Sequence, residues 1–456
     1  MDIENLIRAQ RAFFLSQCTK EPDFRLAQLR KLDGLLRKYE NDFYRAVEAD
    51  FGKSAFDTYT TEIGFIYQEI RFYLKKLPKW VRPKRIRTGL SSLPGKSRIY
   101  YEPLGCCLII GAWNYPFQLT LLPAIAALAA GNTVMIKPSE LAPECSALLA
   151  RVINDAFPPG YFQVVEGGAK ETTALLHHRF DHVFFTGSQK VGQIVYEAAA
   201  RHLTPVTLEL GGKSPAIVCP SGDLKVAARR IVWGKFINGG QTCIAPDYLL
   251  VHRSVEESFL KLLEERIRQF NYQPDSTHYT QIINQRHFDR ISALIDPEKI
   301  YYEGPKSNIA DKKYIAPTIL NNVDWEDACM QEEIFGPVLP VIRFDDYDEL
   351  LNRLVRMEKP LAAYLFSNNG TEQHKFTKQL SFGGGCINDT LMHVSNSRLP
   401  FGGIGGSGFG NYHGRFGFET FSHAKSILHK ANWGEPSIKY PPYSEGKLKW
   451  IRRLLS

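Results

Sequence analysis

The sequence predicts an α/β protein whose sheets are parallel and covered on both faces. Three observations carry that expectation. Short apolar, β-branched runs recur between residues 107 and 388 with helical segments between them, the alternation from which parallel sheets are built. Proline and glycine mark the boundaries: Pro143 opens a helix and Pro158-Pro159-Gly160 closes it. The 456 residues, 44% hydrophobic and 23% charged, allow a large core and exclude a disordered or collagen-like chain. At about 150 residues per domain, the length suggests three units.

Taken in order, residues 25–48 read as one amphipathic helix, because Leu29, Leu32, Leu36, Tyr39, Phe43 and Val47 recur at spacings of three and four. The basic stretch 78–95 is punctuated by proline and glycine and reads as a connector or arm without regular structure. Strands are expected at 107–110, 133–137, 162–165, 182–186 and 206–210, with helices at 121–130, 143–157 and 191–202. After Gly211-Gly212 the alternation resumes. Strands are expected at 216–219, 248–252, 338–344, 362–366 and 386–388, and Val255, Phe259, Leu262, Leu263, Ile267 and Phe270 mark a helix. Residues 210–400 thus form a second α/β unit, and no internal repeat is visible.

The net charge of +8 slightly favours anionic small molecules and gives no argument for nucleic acid. The longest apolar run, 121–131, is well short of the roughly 18 residues that suggest a membrane span. Met1-Asp2-Ile3-Glu4-Asn5 lacks the plan of a secretory signal. Cysteines at 18, 106, 107, 145, 219, 243, 329 and 386 form neither a CxxC pair nor a zinc spacing. Free thiols in a reducing cytoplasm, with no metal, are expected.

Several motifs carry chemistry. Gly403-x-Gly405-x-x-Gly408 fits the dinucleotide fingerprint by letter, but a poor strand precedes it and no helix follows, so a tightly turned glycine loop is expected. Phe184-Phe-Thr186-Gly187-Ser188-Gln-Lys-Val-Gly192 has the strand–turn–helix order that lets backbone N–H groups and a helix dipole face a pyrophosphate; the alternative is an ordinary turn. Lys137 and Glu140, just past a strand end, can reach ribose hydroxyls or belong to a solvated loop. In Asn238-Gly-Gly-Gln241-Thr242-Cys243 the polar, glycine-rich setting is a poor core and singles out Cys243 as a nucleophile candidate. Glu209 before Gly211-Gly212, and Glu332-Glu333 beside Phe335, offer a general base if desolvated, or are surface acids. Asn114, after a buried strand, can donate to an oxyanion or serve as a turn residue before Pro116. Trp113, Tyr115, Trp233 and Met392 line an apolar channel or are core.

Together and in this order, these motifs resemble the aldehyde dehydrogenase superfamily, from about residue 5 to 430, and within it the class 3 branch, which handles aromatic and medium- to long-chain aliphatic aldehydes. The resemblance implies Cys243 as nucleophile, Asn114 with the Cys243 backbone N–H as oxyanion donors, and Glu209 as general base. It implies Glu333 and Phe335 at the nicotinamide ribose, Lys137 and Glu140 at the adenosine ribose, and Thr186, Gly187, Ser188 and Gly192 at the pyrophosphate. The cofactor is NAD, with NADP possible. The implied division is 1–82 with 100–209 for cofactor binding, 210–400 for the catalytic thiol, and 83–99 with 401–456 for an oligomerisation arm and C-terminal segment. The implied partners are a small aldehyde and a second copy in a homodimer. Glu209 favours water over CoA as acyl acceptor, and the filled catalytic positions favour an enzyme over a non-catalytic relative. Membrane-bound relatives carry an apolar C-terminal anchor, whereas Lys449-Trp450-Ile-Arg-Arg-Leu-Leu-Ser456 is too short and charged to span. Weak association with a membrane surface is the most this tail suggests.

Overall fold

The computed structural model describes residues 2–304 and 306–455; the side chains of Leu454 and Leu455, part of the expected amphipathic tail, lie outside the described part. Among the described residues, two mainly parallel sheets and one antiparallel sheet organise the chain. The first sheet has strand Cys106–Ile110 inside it, paired in parallel with Thr133–Lys137 on one side and His182–Thr186 on the other. Phe162–Val164 lies beyond the former, Val206–Glu209 beyond the latter, and Gly408–Phe409 closes that edge antiparallel. The chain therefore builds outward in one direction from Cys106–Ile110, then returns and builds in the other. Turns at the two neighbouring strand ends diverge at that reversal and leave a crevice, the usual ligand position in open α/β sheets. Every residue of these three inner strands is buried, which explains the apolar runs at their centres.

The second sheet runs Ile300–Glu303, Thr318–Leu320, Val338–Phe344, Tyr248–His252, Pro215–Val218, Ala362–Phe366 and Gly384–Ile387, antiparallel only in its first pair. The first two of these strands had no clear local signal in the sequence.

Two local expectations change. Residues 25–48 do not form one helix: Pro22–Lys38 and Glu40–Phe51 meet at Tyr39, whose φ of −104° and ψ of 14° leave the helical region. The apolar stripe runs across the break, and Leu29, Leu32, Leu36, Phe43 and Val47 are all buried. Periodicity records the buried face and not the axis. Nor is the stretch 78–95 irregular. Pro78 lies inside helix Gly64–Trp80, and Lys84–Ile86 pairs antiparallel with Gly95–Pro103, which in turn pairs with Ser422–Lys430. The central strand of this sheet finds its partner more than 300 residues away, which local composition does not register. Within 401–456, the sheet-forming strand of the arm is Ser422–Lys430, while Gly408–Phe409 belongs to the first parallel sheet.

Candidate active site

A cleft of about 720 Å³ lies between the two parallel sheets and is lined by residues from both. Asn114, Thr186, Gly187, Ser188, Glu209, Cys243, Glu333 and Phe335 all face it; Lys137, Glu140 and Gly192 do not line it.

The Cys243 loop is built by backbone geometry. Asn238, Gly239 and Gly240 take φ values of 55°, 61° and 76°, a left-handed run that reverses the chain after helix Leu224–Phe236. A Cβ on Gly240 would fall 2.3 Å from the Gly336 carbonyl oxygen, so glycine lets the thiol loop and the Glu333–Phe335 loop touch backbone to backbone. Since neither chain can yield, Gly240→Ala is expected to destabilise the fold by more than about 1 kcal/mol, read as a lowered Tm together with lost activity.

This polar loop is buried, contrary to the reading of it as a poor core. The Gln241 amide is fully paired: Gln241 Nε2 donates to the Asn238 and Gln281 carbonyls at 3.0 and 2.9 Å, and Gln241 Oε1 accepts from Ile283 N–H at 2.9 Å. Asn114 Nδ2 donates to the Gln241 carbonyl at 3.1 Å, and Asn238 Nδ2 returns a bond to the Asn114 carbonyl at 2.9 Å. One of the two Asn114 amide hydrogens serves that bond and the second is available to a ligand. Tyr115 is buried behind, its hydroxyl 2.6 Å from Thr242 Oγ1. Trp113 lies edge-on to Phe335, their ring centroids 5.5 Å apart, at the cleft wall. Trp233 and Met392 are exposed and are not core.

The electrostatics separate the acids. Burial pushes the Cys243 thiol up, and the Glu333 and Glu209 carboxylates add to this. Glu209 ends strand Val206–Glu209 with both carboxyl oxygens buried and without a hydrogen-bond partner. Burial alone raises its pKa well above the ordinary carboxyl range. Glu333 is pushed up to about 8 by burial and then by Asp247, against the pull of the Gly212 N–H, Lys213 and Lys235. Its Oε2 occupies the space a Cβ on Gly211 would take, 1.9 Å away. Glu332 instead points to the surface and pairs with Arg290 at 2.9 Å.

Three residues that hold Glu333 in place were not singled out in the sequence. Lys213 Nζ donates to Asp247 Oδ2 and to the Cys329 and Glu332 carbonyls, the last two at 2.8 Å. Asp247 Oδ1 accepts from Ile334 N–H at 3.0 Å, and Arg290 Nη2 donates to the Ile334 carbonyl at 2.6 Å. Lys213 sat within a recognised motif, Glu-Leu-Gly-Gly-Lys; Asp247 and Arg290 carried no local signal.

At the reversal of the first sheet, Ser188 caps helix Gln189–Ala200 by accepting from Val191 N–H. Thr186 Oγ1 is buried without a partner at the mouth of this turn. Gly192 is buried against strand Val206–Glu209, where a Cβ would fall 2.7 Å from Leu210 Cδ2, so its role is close helix–strand packing. An unpartnered hydroxyl beside the free N–H end of a helix suits an anionic dinucleotide. Lys137 is buried and Glu140 half-exposed, 3.5 Å apart, at and just past the end of strand Thr133–Lys137, on the far side of Cys106–Ile110; burial lowers the Lys137 pKa and Glu140 opposes it. Gly403–Gly408 is a tight turn: a Cβ on Gly403 would meet the Ser407 carbonyl at 2.1 Å, and a short strand rather than a helix follows.

The model of the aldehyde dehydrogenase family matches residues 1–427. The chain belongs to that family. It is 46% identical, over 99% of its length and 98% of the relative's, to 4,4'-diaponeurosporen-aldehyde dehydrogenase of Staphylococcus aureus. It is 44% identical to aldehyde dehydrogenase family 3 member A2 of Pongo abelii, over 99% of this chain and 93% of that protein. The solved substrate-bound state of Staphylococcus aureus AldH superposes with a TM-score of 0.97 at 45% identity, covering both chains entirely. The relatives include family 3 members, in keeping with the class 3 resemblance. This aldehyde dehydrogenase oxidises aldehydes to carboxylic acids with NAD(P). Among its described residues no helix is long and apolar enough to cross a membrane.

Proposed function

We propose that this enzyme oxidises aromatic or medium- to long-chain aliphatic aldehydes through a thioester on Cys243. The observation that carries the reading is the buried, unpartnered Glu209 carboxyl sharing one cleft with Cys243 and Asn114. The thiol gives its proton to a solvent water molecule, and the thiolate sulfur adds to the aldehyde carbon. The free Asn114 amide hydrogen and the Cys243 backbone N–H receive the developing oxyanion. NAD(P), when bound, accepts the hydride that this carbon gives up, leaving an acyl thioester on Cys243. Glu209 then takes a proton from water, the hydroxyl adds to the acyl carbon, and the carboxylic acid leaves as sulfur is released.

Thr186, Gly187 and Ser188 would hold the pyrophosphate, and Gly192 draws their helix onto the sheet. Glu333 and Phe335 would hold the nicotinamide ribose, and Lys137 and Glu140 the adenosine ribose. These cofactor residues fall in 100–209 and on the Glu333 loop, in keeping with a cofactor unit of 1–82 and 100–209, a thiol unit of 210–400, and an arm formed by 83–99 and 401–456. The test is NADH and NADPH formation across an aldehyde panel with and without CoA. Fastest turnover of aromatic and long-chain substrates, independent of CoA, is expected; dependence on CoA would overturn hydrolysis.

Glu140 sets cofactor choice. Its carboxylate opposes a 2′-phosphate, and the Lys137 ion pair keeps it in place. NAD is expected to be preferred, and Glu140→Gln should raise kcat/KM for NADP relative to NAD about three- to ten-fold, since a half-exposed charge is screened. An unchanged ratio would remove Glu140 from the choice.

The arm supports a homodimer. Strand Lys84–Ile86 is exposed along its length at the edge of the antiparallel sheet, and such an edge calls for a cover. The free thiols suit a reducing cytoplasm. The C-terminal helix Glu445–Leu455 exposes Leu448 and Trp450 beside Lys447 and Lys449, which supports weak contact with an anionic membrane surface. More pelleting of the full chain than of residues 1–445 with anionic liposomes is the expected result; equal pelleting would remove the idea.

A further inference from the structure

Behind the Asn114 turn lies an ion pair that takes no part in the chemistry described above. Lys53 Nζ stands 3.5 Å from Glu62 Oε1, and both side chains are almost wholly removed from solvent. Neither atom has a hydrogen-bond partner. The other Glu62 oxygen accepts from Phe117 N–H at 2.9 Å and Gln118 N–H at 3.3 Å, the first N–H groups of helix Gln118–Ala130. Glu62 reaches them from a π-helical turn, Tyr59–Ile63, a local departure from α-helix that recurs at functional sites. Lys53 Nζ also lies 4.5 Å from the centroid of the Tyr115 ring.

The pair thus grips both sides of one short stretch. Glu62 anchors residues 117 and 118, and Lys53 sits on the ring of residue 115. The far end of that ring is fixed by the 2.6 Å hydrogen bond between its hydroxyl and Thr242. Asn114 immediately precedes Tyr115, and Cys243 immediately follows Thr242. Tyr115 therefore bridges the amide that receives the oxyanion and the backbone that carries the thiol. Stability alone gives little reason for charge here, because well-packed apolar residues often replace a buried ion pair without loss.

We propose that Lys53 and Glu62 are positioning residues for aldehyde addition: by fixing Tyr115 between the Lys53 ammonium and Thr242 they hold Asn114 and Cys243 at the separation the oxyanion requires. The inference rests on the reading of Asn114 and Cys243 given above.

The test uses the full-length enzyme and the doubly neutral variant Lys53→Met/Glu62→Gln, which leaves neither member of the pair as a lone charge and keeps an oxygen acceptor at position 62. Its Tm and its affinity for NAD are expected to stay near the parent values. The rate of the first-turnover NADH burst should fall on the order of ten- to a hundred-fold, the scale of a small misplacement of reacting groups. Thioester hydrolysis passes through a second oxyanion on the same carbon and should slow as well, while still depending on Glu209. Tyr115→Phe should slow the burst to a similar degree, and combining it with the double variant should add little, as for residues acting through one contact. Lys53→Arg, which keeps a cation over the ring, should recover most of the burst. A parental burst in the double variant, or losses that multiply when Tyr115→Phe is added, would overturn the role. Should the double variant not fold, Tyr115→Phe with the pair intact carries the test, and an unchanged burst there also overturns it. Normal turnover by Cys243→Ala would instead overturn the underlying reading of the site.

Discussion

Cys243→Ala is expected to abolish aldehyde oxidation while NAD binding and the fold survive. The loss should be on the order of 10⁴–10⁶-fold, the scale seen when an attacking group is removed from an enzyme that works through a covalent intermediate. The fold should survive because other side chains hold the loop: Asn238 and Gln241 tie it to the Asn114 turn and to residues 281 and 283, and Thr242 ties it to Tyr115. The side chains proposed to hold the dinucleotide do not include the thiol, so fluorescence titration with NAD should give a dissociation constant close to that of the parent. The other thiols cannot substitute. Cys106, Cys107, Cys145, Cys219 and Cys329 are buried in the packing, and the cleft is lined by no cysteine but Cys243 among the described residues. Turnover near the parental rate in this variant would remove Cys243 as nucleophile.

Glu209→Gln should give a burst of NADH, up to one equivalent per site, followed by steady turnover slower by about 10²–10⁴-fold, the usual contribution of a general base. The acyl group should then be visible on Cys243 by mass spectrometry. The amide keeps the size of the side chain and removes the base. Because burial raises the Glu209 pKa, its basic form gains population as pH rises. Hydrolysis in the parent should therefore quicken as pH rises through a range above the ordinary glutamate value, and the variant should lose that dependence. Glu333→Gln should differ in kind. Its carboxyl lies against Gly211, on a loop whose backbone Lys213 and Asp247 hold at Glu332 and Ile334, where the nicotinamide ribose would lie, so its loss should slow the burst itself and leave no acyl-enzyme to accumulate. Loss of the burst in Glu209→Gln would mean that Glu209 also takes the thiol proton. Accumulation in Glu333→Gln with normal turnover in Glu209→Gln would exchange the two roles.

The sequence by itself determined the class of fold, most strands of the two parallel sheets, and several of the residues that meet in the cleft, among them Asn114, Glu209, Cys243 and Glu333. It could do so because each of those signals is local. A fully buried parallel strand needs an unbroken apolar run, as at Cys106–Ile110. A nucleotide turn needs strand, glycine and helix in succession, and Gly187 and Ser188 supply it where Gly403–Gly408 does not. What only the tertiary structure decided is everything set by desolvation or by partners distant in the chain. Glu332 and Glu333 are neighbours of one chemical type, yet one pairs with Arg290 at the surface and the other is half-buried against Gly211. Glu209 is a candidate base because no donor reaches its oxygens, a property of the packing around it. Strands Gly95–Pro103 and Ser422–Lys430, the Lys213–Asp247 clamp and the Lys53–Glu62 pair beneath Tyr115 all join segments that no sequence period connects. Periodicity reports which face of an element is buried; which charges share that interior, and what each is left without, follows only once the distant segments have packed.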